Sequence, residues 1–559
     1  MPNVGRTVRV SDPVHGYITL TPIERRLLDT PAAQRMRYVG QSGLVHLVFP
    51  DLRTSRFIHS LGAMHLASRF LASSLEHAEP SDSDAALKAI KAAVKNEIGE
   101  VSSAKVCAEQ LEHDGLLCDR AAPEKYREFL LIAEQGLRLA ALFHDLGHLP
   151  FSHDFEFALE QLAPEISGNV DAQTSGLLEQ RPGRDALHER IGHDLTYLLF
   201  EQAFASEPLE AARVSFQVAR KILETSEAQT VAKIHDTGGL ETPAEGAWAW
   251  LHTLIAGELD VDRCDYVLRD ARGYGFESAR FDLQRLIDNV IVVQDPQVPN
   301  ALVPAVRAQG QAAVEAFLIA RSRVYQWGTR HHKVGQVAVA LRYATGELLR
   351  PALEDPKKDH PLRTFLSDLQ QILQSHDNRD ELEDVGALLQ RFARYDDQWW
   401  MGLLRDGPQD DEWFRLVCWR GRGPKCLWKR VVDFPLDSAT ETLRDWNKRL
   451  PARTDVVQGR AWDDAVRSLR DDGILVIRHR FEPWKPSEAT KTHDEPESAL
   501  SFYVPDKPPG ERLVPVSRVS YPVAALREGW LRDLQVHAYA DSNSALSGLD
   551  VIDRLTPRP

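Results

Sequence analysis

The run Leu142-Phe143-His144-Asp145-Leu146-Gly147-His148 sets an imidazole beside a carboxylate. On one helix such neighbours lie about 100° apart around the axis, so both can address one ion from a single turn. His59 lies upstream in Arg56-Phe57-Ile58-His59-Ser60, and Asp262 lies downstream in Asp260-Val261-Asp262-Arg263, each on a helix-like segment. Neutral imidazole and carboxylate suit Mn, Fe, Ni, Zn or Mg. One divalent metal per active site, held by His59, His144, Asp145 and Asp262, would leave positions for water and a phosphate oxygen. It would lower the pKa of that water and polarise the phosphoryl group. Any one of the four alone is as readily a helix-cap or core residue. The four in this order favour the metal.

Further groups gather around this set. His148 follows His144 by one helical turn, so the two face the same way. Pro150 is expected to end that helix. His153 follows, and Leu187-His188-Glu189 supplies another imidazole. Histidines beside a phosphate can donate to its oxygens or protonate a leaving oxygen, although an exposed helical histidine is the plainer reading of His188. Asp262, Tyr266 and Asp270 are spaced four apart and share a helix face. That face reads as a pocket wall, or else as a structural stripe with Tyr266 in the core and Arg263 and Arg269 as solvated ion-pair partners.

These residues need elements to position them. Arg6–Leu20 alternates apolar and polar around Asp12-Pro13…Gly16, the pattern of a hairpin. Thr30-Pro31 opens a helix with proline in the first turn. The chain reads as mostly helical to about residue 350, with a polar helical insertion over 77–128 and a loop over 164–187. The segment 355–361 reads as a linker. Two helical stretches follow, then strand-like runs at Gly473–His479 and Gln535–Tyr539. The expected fold is mainly α, with a helical core over 1–354, an N-terminal β-hairpin, and a smaller α+β C-terminal region over 355–559.

With 559 residues the chain exceeds one ordinary core. Its 43% hydrophobic and 27% charged content is that of a soluble protein. No apolar run is long enough to cross a bilayer. The five cysteines are odd in number and lack Cys-x-x-Cys spacing, which predicts reduced thiols and a cytoplasmic location. A net charge of −15 argues against broad nucleic-acid binding but leaves room for a local basic pocket.

The motifs form an ordered series: Asp12-Pro13-Val14-His15-Gly16, Leu28-Asp29-Thr30-Pro31, Gln34-Arg35-Met36-Arg37-Tyr38, Phe49-Pro50, Arg56–Gly62, His144–His153 and Asp260–Arg263. The series resembles the HD-domain dNTP triphosphohydrolases, whose members include animal enzymes joining a sterile alpha motif to an HD domain and bacterial dGTPase-like relatives. The resemblance covers about residues 6–340. It implies hydrolysis of a dNTP to the deoxynucleoside and inorganic triphosphate, with His59, His144, Asp145 and Asp262 as metal ligands. It makes His153 the general acid or base, with Glu156 as its carboxylate partner. It puts Arg56, His148, His188 and Arg263 on the triphosphate, and Gln41, Tyr266 and Asp270 around the deoxyribose. Arg321 and Tyr325 match the base-side segment. Two sugar-pocket positions depart from the family: Ser42 stands where a leucine is expected, and Thr329 or Arg330 where a tyrosine is expected.

The same resemblance suggests a second, regulatory nucleotide read by Asp29, Gln34 and Arg37, with Val48, Phe49, Arg285, His332 and Lys333 in its interface. That interface implies a homo-oligomer, a dimer or a tetramer. Val8 and Ser11 replace a lysine and an asparagine there, and Asp29-Thr30-Pro31 is also a good helix start in its own right. Trp413–Arg430 reads as a basic, aromatic hairpin. Such a segment can stack on single-stranded bases, but buried tryptophans with a solvated turn fit an acidic chain better. Alternatives to the dNTPase are an HD phosphatase or phosphodiesterase acting on another nucleotide or a nucleic-acid end, and a nonenzymatic nucleotide or nucleic-acid sensor. Housekeeping dNTP balance and antiviral (phage) defence are both compatible roles.

Overall fold

The computed structural model describes residues 8–98, 104–111, 115–118, 123–166, 186–206, 209–354, 360–375, 384–421, 423–435, 443–450, 456–479, 484 and 498–555. Most of the loop expected over 164–187 and of the linker expected over 355–361 lies outside these residues, as do Arg6 and Thr7.

The molecule is mainly α. It opens on the expected hairpin, β1 (Val8–Asp12) antiparallel to β2 (Gly16–Leu20). Two short helices follow, α1 (Pro22–Leu28) and α2 (Pro31–Arg35), each with proline in its first turn. The Thr21 hydroxyl accepts from Glu24 N, and the Glu24 carboxylate accepts from Thr21 N, a reciprocal cap on α1. The core is built on two long helices, α3 (Arg56–Glu76) and α6 (Glu124–Phe143), which pack on each other. The insertion between them is helical, as expected: α4 (Pro80–Ile98) and α5 (Ala104–Leu111) both cover α6. The next helix, α7 (His153–Ile166), lies against the long helix His332–Glu354.

Beyond residue 354 the described chain holds more helix than the two stretches expected, including Arg363–Gln374, Val385–Phe392, Asp397–Asp406, Glu412–Trp419 and Val456–Asp471. The strands Ile474–Arg478 and Val536–Ala540 pair antiparallel and bury nearly all their side chains. The strand Ser501–Tyr503 pairs parallel with Leu302–Arg307, within the part of the chain that precedes residue 354. A second apolar cluster, centred on Trp428, Trp446 and Val536, is separate from the main one.

Two local expectations are corrected. Trp413–Trp419 is not a hairpin arm but a helix. Asp411 accepts from Trp413 N and Phe414 N at its start, and Trp413, Phe414, Leu416 and Val417 recur at helical spacing and are buried. Among the described residues of 413–430 only Lys425–Cys426 forms a strand, pairing with Tyr539–Ala540. The His144–Leu149 run is not helical either. Helix α6 ends at Phe143, and His144 caps it. The chain must leave the helix there because Gly147 meets Gly192. A Cβ on Gly147 would stand 2.0 Å from His188 O and 2.3 Å from Gly192 N.

One buried ion pair joins the hairpin, α1, α3 and α6. Arg138 donates to both oxygens of Glu24, at 2.6 and 2.8 Å, to Thr19 O at 2.9 Å and to Ser68 Oγ at 3.1 Å. Both residues are almost wholly excluded from solvent. Burial pushes the Glu24 carboxyl up, but the Arg138 charge and the surrounding donors outweigh it and hold the pKa below the ordinary carboxylate range. Breaking such a pair from one side leaves a buried charge. Arg138→Met should therefore cost about 3–5 kcal/mol in denaturant unfolding near neutral pH. A depressed folded pKa gives stability that is present above the unfolded carboxyl pKa and lost as pH falls through the folded one. The gap between wild type and variant should therefore shrink in acid. A loss below about 1 kcal/mol at neutral pH would show the pair to be dispensable.

Candidate active site

Three elements bring the four candidate ligands together. His59 lies one turn into α3, His144 and Asp145 lie in the turn after α6, and Asp262 lies in the first turn of the helix Val261–Tyr274. Asp260 starts that last helix by accepting from Arg263 N at 2.7 Å. His59 Nε2 is 2.9 Å from Asp262 Oδ1 and 3.4 Å from Asp145 Oδ2. His144 Nε2 is 3.5 Å from Asp145 Oδ2 and 3.7 Å from Asp262 Oδ1. Two donors bound at about 2.1 Å to one ion lie about 3.0 Å apart at a right angle and about 3.4 Å apart at a tetrahedral angle. The donors of His59, His144 and Asp262 gather as for a single cation, and Asp145 lies beside them with its Oδ2 on Arg56.

The nitrogens themselves pass the same test. Both Nε2 atoms are fully buried and neither meets hydrogen-bond geometry with any partner. Each opposite nitrogen is engaged: His59 Nδ1 lies 2.7 Å from Asp265 Oδ2, and His144 Nδ1 lies 2.8 Å from Ala141 O. An N–H on Nδ1 leaves the Nε2 lone pair directed at the ion position, the usual way a ligating histidine is oriented. Burial opposes protonation of His59, yet the adjoining carboxylates of Asp145, Asp262 and Asp265 raise its pKa well above the ordinary imidazole value. A site that favours positive charge this strongly suits a divalent metal.

Asp265 was not singled out from the sequence. Its Oδ1 meets His15 Nε2 at 2.6 Å, and Arg269 Nε donates to its Oδ2 at 2.7 Å. Arg269 also pairs with Asp12 at 2.9 Å. Arg269 is therefore buried and paired rather than solvated. The available signals were the place of Asp12 and His15 in the first motif and the three-residue step from Asp262 to Asp265.

His148, His153, His188 and Glu156 form a second group. Glu156 is 2.9 Å from His188 Nδ1, 3.5 Å from His148 Nδ1 and 3.8 Å from His153 Nδ1. Four donors this close resemble a cage, but the rings argue otherwise. His148 and His188 stack with centroids 3.9 Å apart and planes 11° apart. A nitrogen lone pair lies in its ring plane, so two stacked rings cannot both aim at one ion. Burial, Arg56 and His188 push His148 down to about 3, which keeps it neutral. Burial also opposes charge on His188, but Glu156 raises its pKa above the ordinary value. His188 is largely buried, unlike the exposed histidine of the plainer reading. The His153 side chain is 54% exposed, so it lies at the open side of the group.

Comparisons with known proteins bear on this geometry. No family model matches the sequence. The chain is 29% identical over 291 residues to the deoxynucleoside triphosphate triphosphohydrolase SAMHD1 of Gallus gallus, covering 50% of this chain and 35% of that protein. It is 26% identical over 341 residues to the Homo sapiens SAMHD1, covering 59% and 42%. The chain thus spans well under half the length of these curated relatives. Among solved structures, a phosphohydrolase from Bacteroides thetaiotaomicron superposes with a TM-score of 0.54 at 17% identity, covering 96% of this chain and 99% of the other. A hypothetical protein from Aquifex aeolicus gives 0.50 at 20% identity, covering 96% and 97%. These two likenesses bear on the fold.

The chain is similar over about half its length to these dNTP triphosphohydrolases. Around its HD motif stand several other expected residues. Arg56 reaches Asp145 Oδ2 at 2.5 Å, and its Nε donates to Ser152 Oγ at 3.0 Å. Tyr266 OH lies 3.4 Å from Tyr325 OH, and Arg321 Nε donates to Tyr266 OH at 3.3 Å. Arg263 contacts Gly257 O and lies 3.7 Å from both Glu258 and Asp260. Glu258, also within 4.0 Å of Arg321, was not anticipated. Burial pushes the Asp270 carboxyl up to about 7. Gln41 has a buried side-chain oxygen with no hydrogen bond. At the departures, Arg330 donates to Leu534 O and pairs with Asp533, while Thr329 lies 3.5 Å from Tyr274 OH.

The expected regulatory residues fall into local groups. Gln34 donates to Leu28 O and accepts from Arg37 Nε at 2.7 Å. Arg37 lies over the Phe57 ring, and Asp29 is exposed at the end of α1. Val48 is partly buried against the main core, and Phe49 packs edge-on against Tyr274 and His331. Lys333 bonds Gln336, His332 O accepts from Tyr539 OH, and Arg285 lies in the short helix Leu283–Ile287.

Removing a buried partner of a metal-ligating histidine typically costs 10–100-fold in metal affinity. Asp265→Asn should therefore weaken divalent-metal binding by about 10- to 100-fold in a calorimetric titration. Wild-type affinity in that variant would break the link between Asp265 and the centre.

Proposed function

We propose that this protein is a metal-dependent hydrolase that cleaves deoxynucleoside triphosphates to the deoxynucleoside and inorganic triphosphate. The observation that carries this reading is the convergence of His59, His144, Asp145 and Asp262, with both Nε2 atoms buried and unpartnered, beside a wall of Arg and Tyr side chains. The similarity to SAMHD1 proteins favours a dNTP over other phosphate esters.

A divalent metal at these four ligands would supply Lewis acidity and an activated water. The surrounding residues do the rest. Arg56, Arg263 and His188 hold the triphosphate by charge-assisted bonds. His148, kept neutral, adds a donor without adding charge. His153, at the open side and near Glu156, delivers a proton to the departing 5′ oxygen of the deoxyribose. Gln41, Tyr266 and Asp270 meet the sugar, and Arg321 with Tyr325 faces the base. The polar Ser42 weakens the steric wall against a 2′-hydroxyl, so discrimination against ribonucleotides rests on the Tyr266–Tyr325 side. Asp29, Gln34 and Arg37, with Val48, Phe49, Arg285, His332 and Lys333, would bind a regulatory nucleotide between subunits of a homo-oligomer. No described helix is long and apolar enough to cross a membrane.

The deciding experiment incubates the pure protein with each dNTP and NTP across a metal series and resolves the products. Intact triphosphate supports the proposal. Pyrophosphate or monophosphate points to another HD phosphatase or phosphodiesterase activity, and nucleotide binding without turnover points to a sensor. His153→Ala should lose about 10²–10⁴-fold in single-turnover rate while keeping its metal. An unchanged rate would move the proton to His148 or His188. Adding GTP or a second dNTP should raise wild-type activity and molecular mass in light scattering, with no response in Asp29→Ala. Hyperbolic kinetics at constant mass in both proteins would end the regulatory proposal and leave the catalytic one intact.

A further inference from the structure

The turn between the HD motif and His153 is an unusual stretch of backbone. Phe151 and Ser152 both have φ of 58°, a left-handed conformation that non-glycine residues seldom adopt twice in succession. Something outside the turn has to hold it. Part of the answer is local: Ser152 Oγ donates to Gly40 O at 2.8 Å and accepts from Arg56 Nε. The remainder comes from the short segment Tyr395–Asp397, beyond the stretch over which the motifs resemble the dNTPases.

Asp397 opens the helix Asp397–Asp406 and is half-buried there. Its Oδ1 accepts from Phe151 N at 2.7 Å, and its Oδ2 accepts from Gly40 N at 2.9 Å. A Cβ at position 40 would stand 3.2 Å from that second oxygen and press on it. One residue pair earlier, Arg35 ties Tyr395 O at 2.7 Å to His148 O at 2.8 Å and lies over the Phe392 ring. The turn from His148 to Ser152 is thus held near both ends by the same short segment. Its middle is linked through Ser152 to Arg56, and Arg56 touches Asp145.

We propose that Asp397 is a positioning residue for the active site: its carboxylate fixes the Phe151–Ser152 turn, and through it the placement of His153 and Arg56. The claim gives the region 355–559 a part in catalysis. It rests on the hydrolase reading above. Asp397 touches neither ligand nor substrate, and it acts through two backbone N–H groups. An amide in its place offers one oxygen and turns an N–H toward the other donor, leaving a buried group unpaired.

The test compares Asp397→Asn with Asp396→Ala. Asp396 caps the same helix by accepting from Gln398 N and Trp399 N, and it makes no hydrogen bond to the turn. In Asp397→Asn, kcat on the preferred dNTP should fall about 10- to 100-fold, more than KM changes, with metal content unaltered. Amide exchange in peptides spanning 148–153 and 38–41 should speed up while the global unfolding midpoint stays close to wild type. Asp396→Ala should leave kcat within about twofold, since a lost cap alters stability rather than the turn. Wild-type kcat in Asp397→Asn, an equal loss in Asp396→Ala, or unchanged exchange at the turn would each overturn the proposal. If the wild-type protein hydrolyses no dNTP, the functional reading has failed, and the exchange measurement alone decides the clamp.

Discussion

The bond between His59 Nδ1 and the Asp265 carboxylate is the constraint on which the rest of the centre depends. It fixes the imidazole's rotation and its tautomer together, so that Nε2 faces the other three donors. Asp265 can do this because Arg269 counters its charge and His15 bonds its other oxygen. Arg269 in turn engages Asp12 of the hairpin. The approach of helix to helix also has to be close. A Cβ on Gly62 would fall 1.8 Å from Asp265 Oδ1. The hairpin, α3 and the helix Val261–Tyr274 are therefore joined by a chain of buried charge, and the metal position is one end of it. Removing any member leaves a neighbour ionised and unpaired, which low-dielectric surroundings make costly.

The same logic separates the site into two halves. Around the four ligands carboxylates dominate, and the balance favours a cation. Across the HD turn, histidines surround one carboxylate, Glu156, and the balance favours an anion beside His188. The stacked pair His148 and His188 shows how the second half avoids self-repulsion. Burial and Arg56 hold one ring neutral, while Glu156 lets the other carry charge. Two charged imidazoles 3.9 Å apart could not be held so close without water.

Much of this was readable from residue types and spacing. The fold class, the hairpin, the helix opening at Pro31 and the helical insertion followed from alternation, proline position and composition. The gathering of His59, His144, Asp145 and Asp262 was foreshadowed by their order, and Tyr266 with Asp270 by a four-residue step. What stayed hidden depends on contacts distant in sequence. Nothing local marks Asp265 as the partner of His59, 206 residues away, or Asp397 as the acceptor for Phe151 N, 246 residues away. The HD run reads as a continued helix because its composition is helical. It leaves the helix because Gly147 must lie on Gly192, a packing demand absent from the local string. Trp413–Trp419 misled in the opposite sense: aromatic and basic residues suggested a hairpin, while the cap at Asp411 and the i, i+3, i+4 burial made a helix.

Charge accounting shows why the flanking cations matter as much as the ligands. Two neutral imidazoles and two carboxylates offer a divalent ion a charge of −2, so the loaded set is close to neutral. On the proposed reading, affinity for a dNTP comes largely from Arg56, Arg263 and His188 at the triphosphate and from Arg321 at the base. Each is already committed in part: Arg56 to Asp145 and Ser152, Arg263 to Glu258 and Asp260, Arg321 to Tyr266, His188 to Glu156. These bonds hold the side chains in place before substrate arrives, which lowers the entropy lost on binding. They also mute the field of a basic pocket in a chain of net charge −15. A multiply charged ligand that engages several of these groups at once can compete with their internal partners. A singly charged ester cannot do so to the same degree, a difference that accords with the triphosphate of the proposed function.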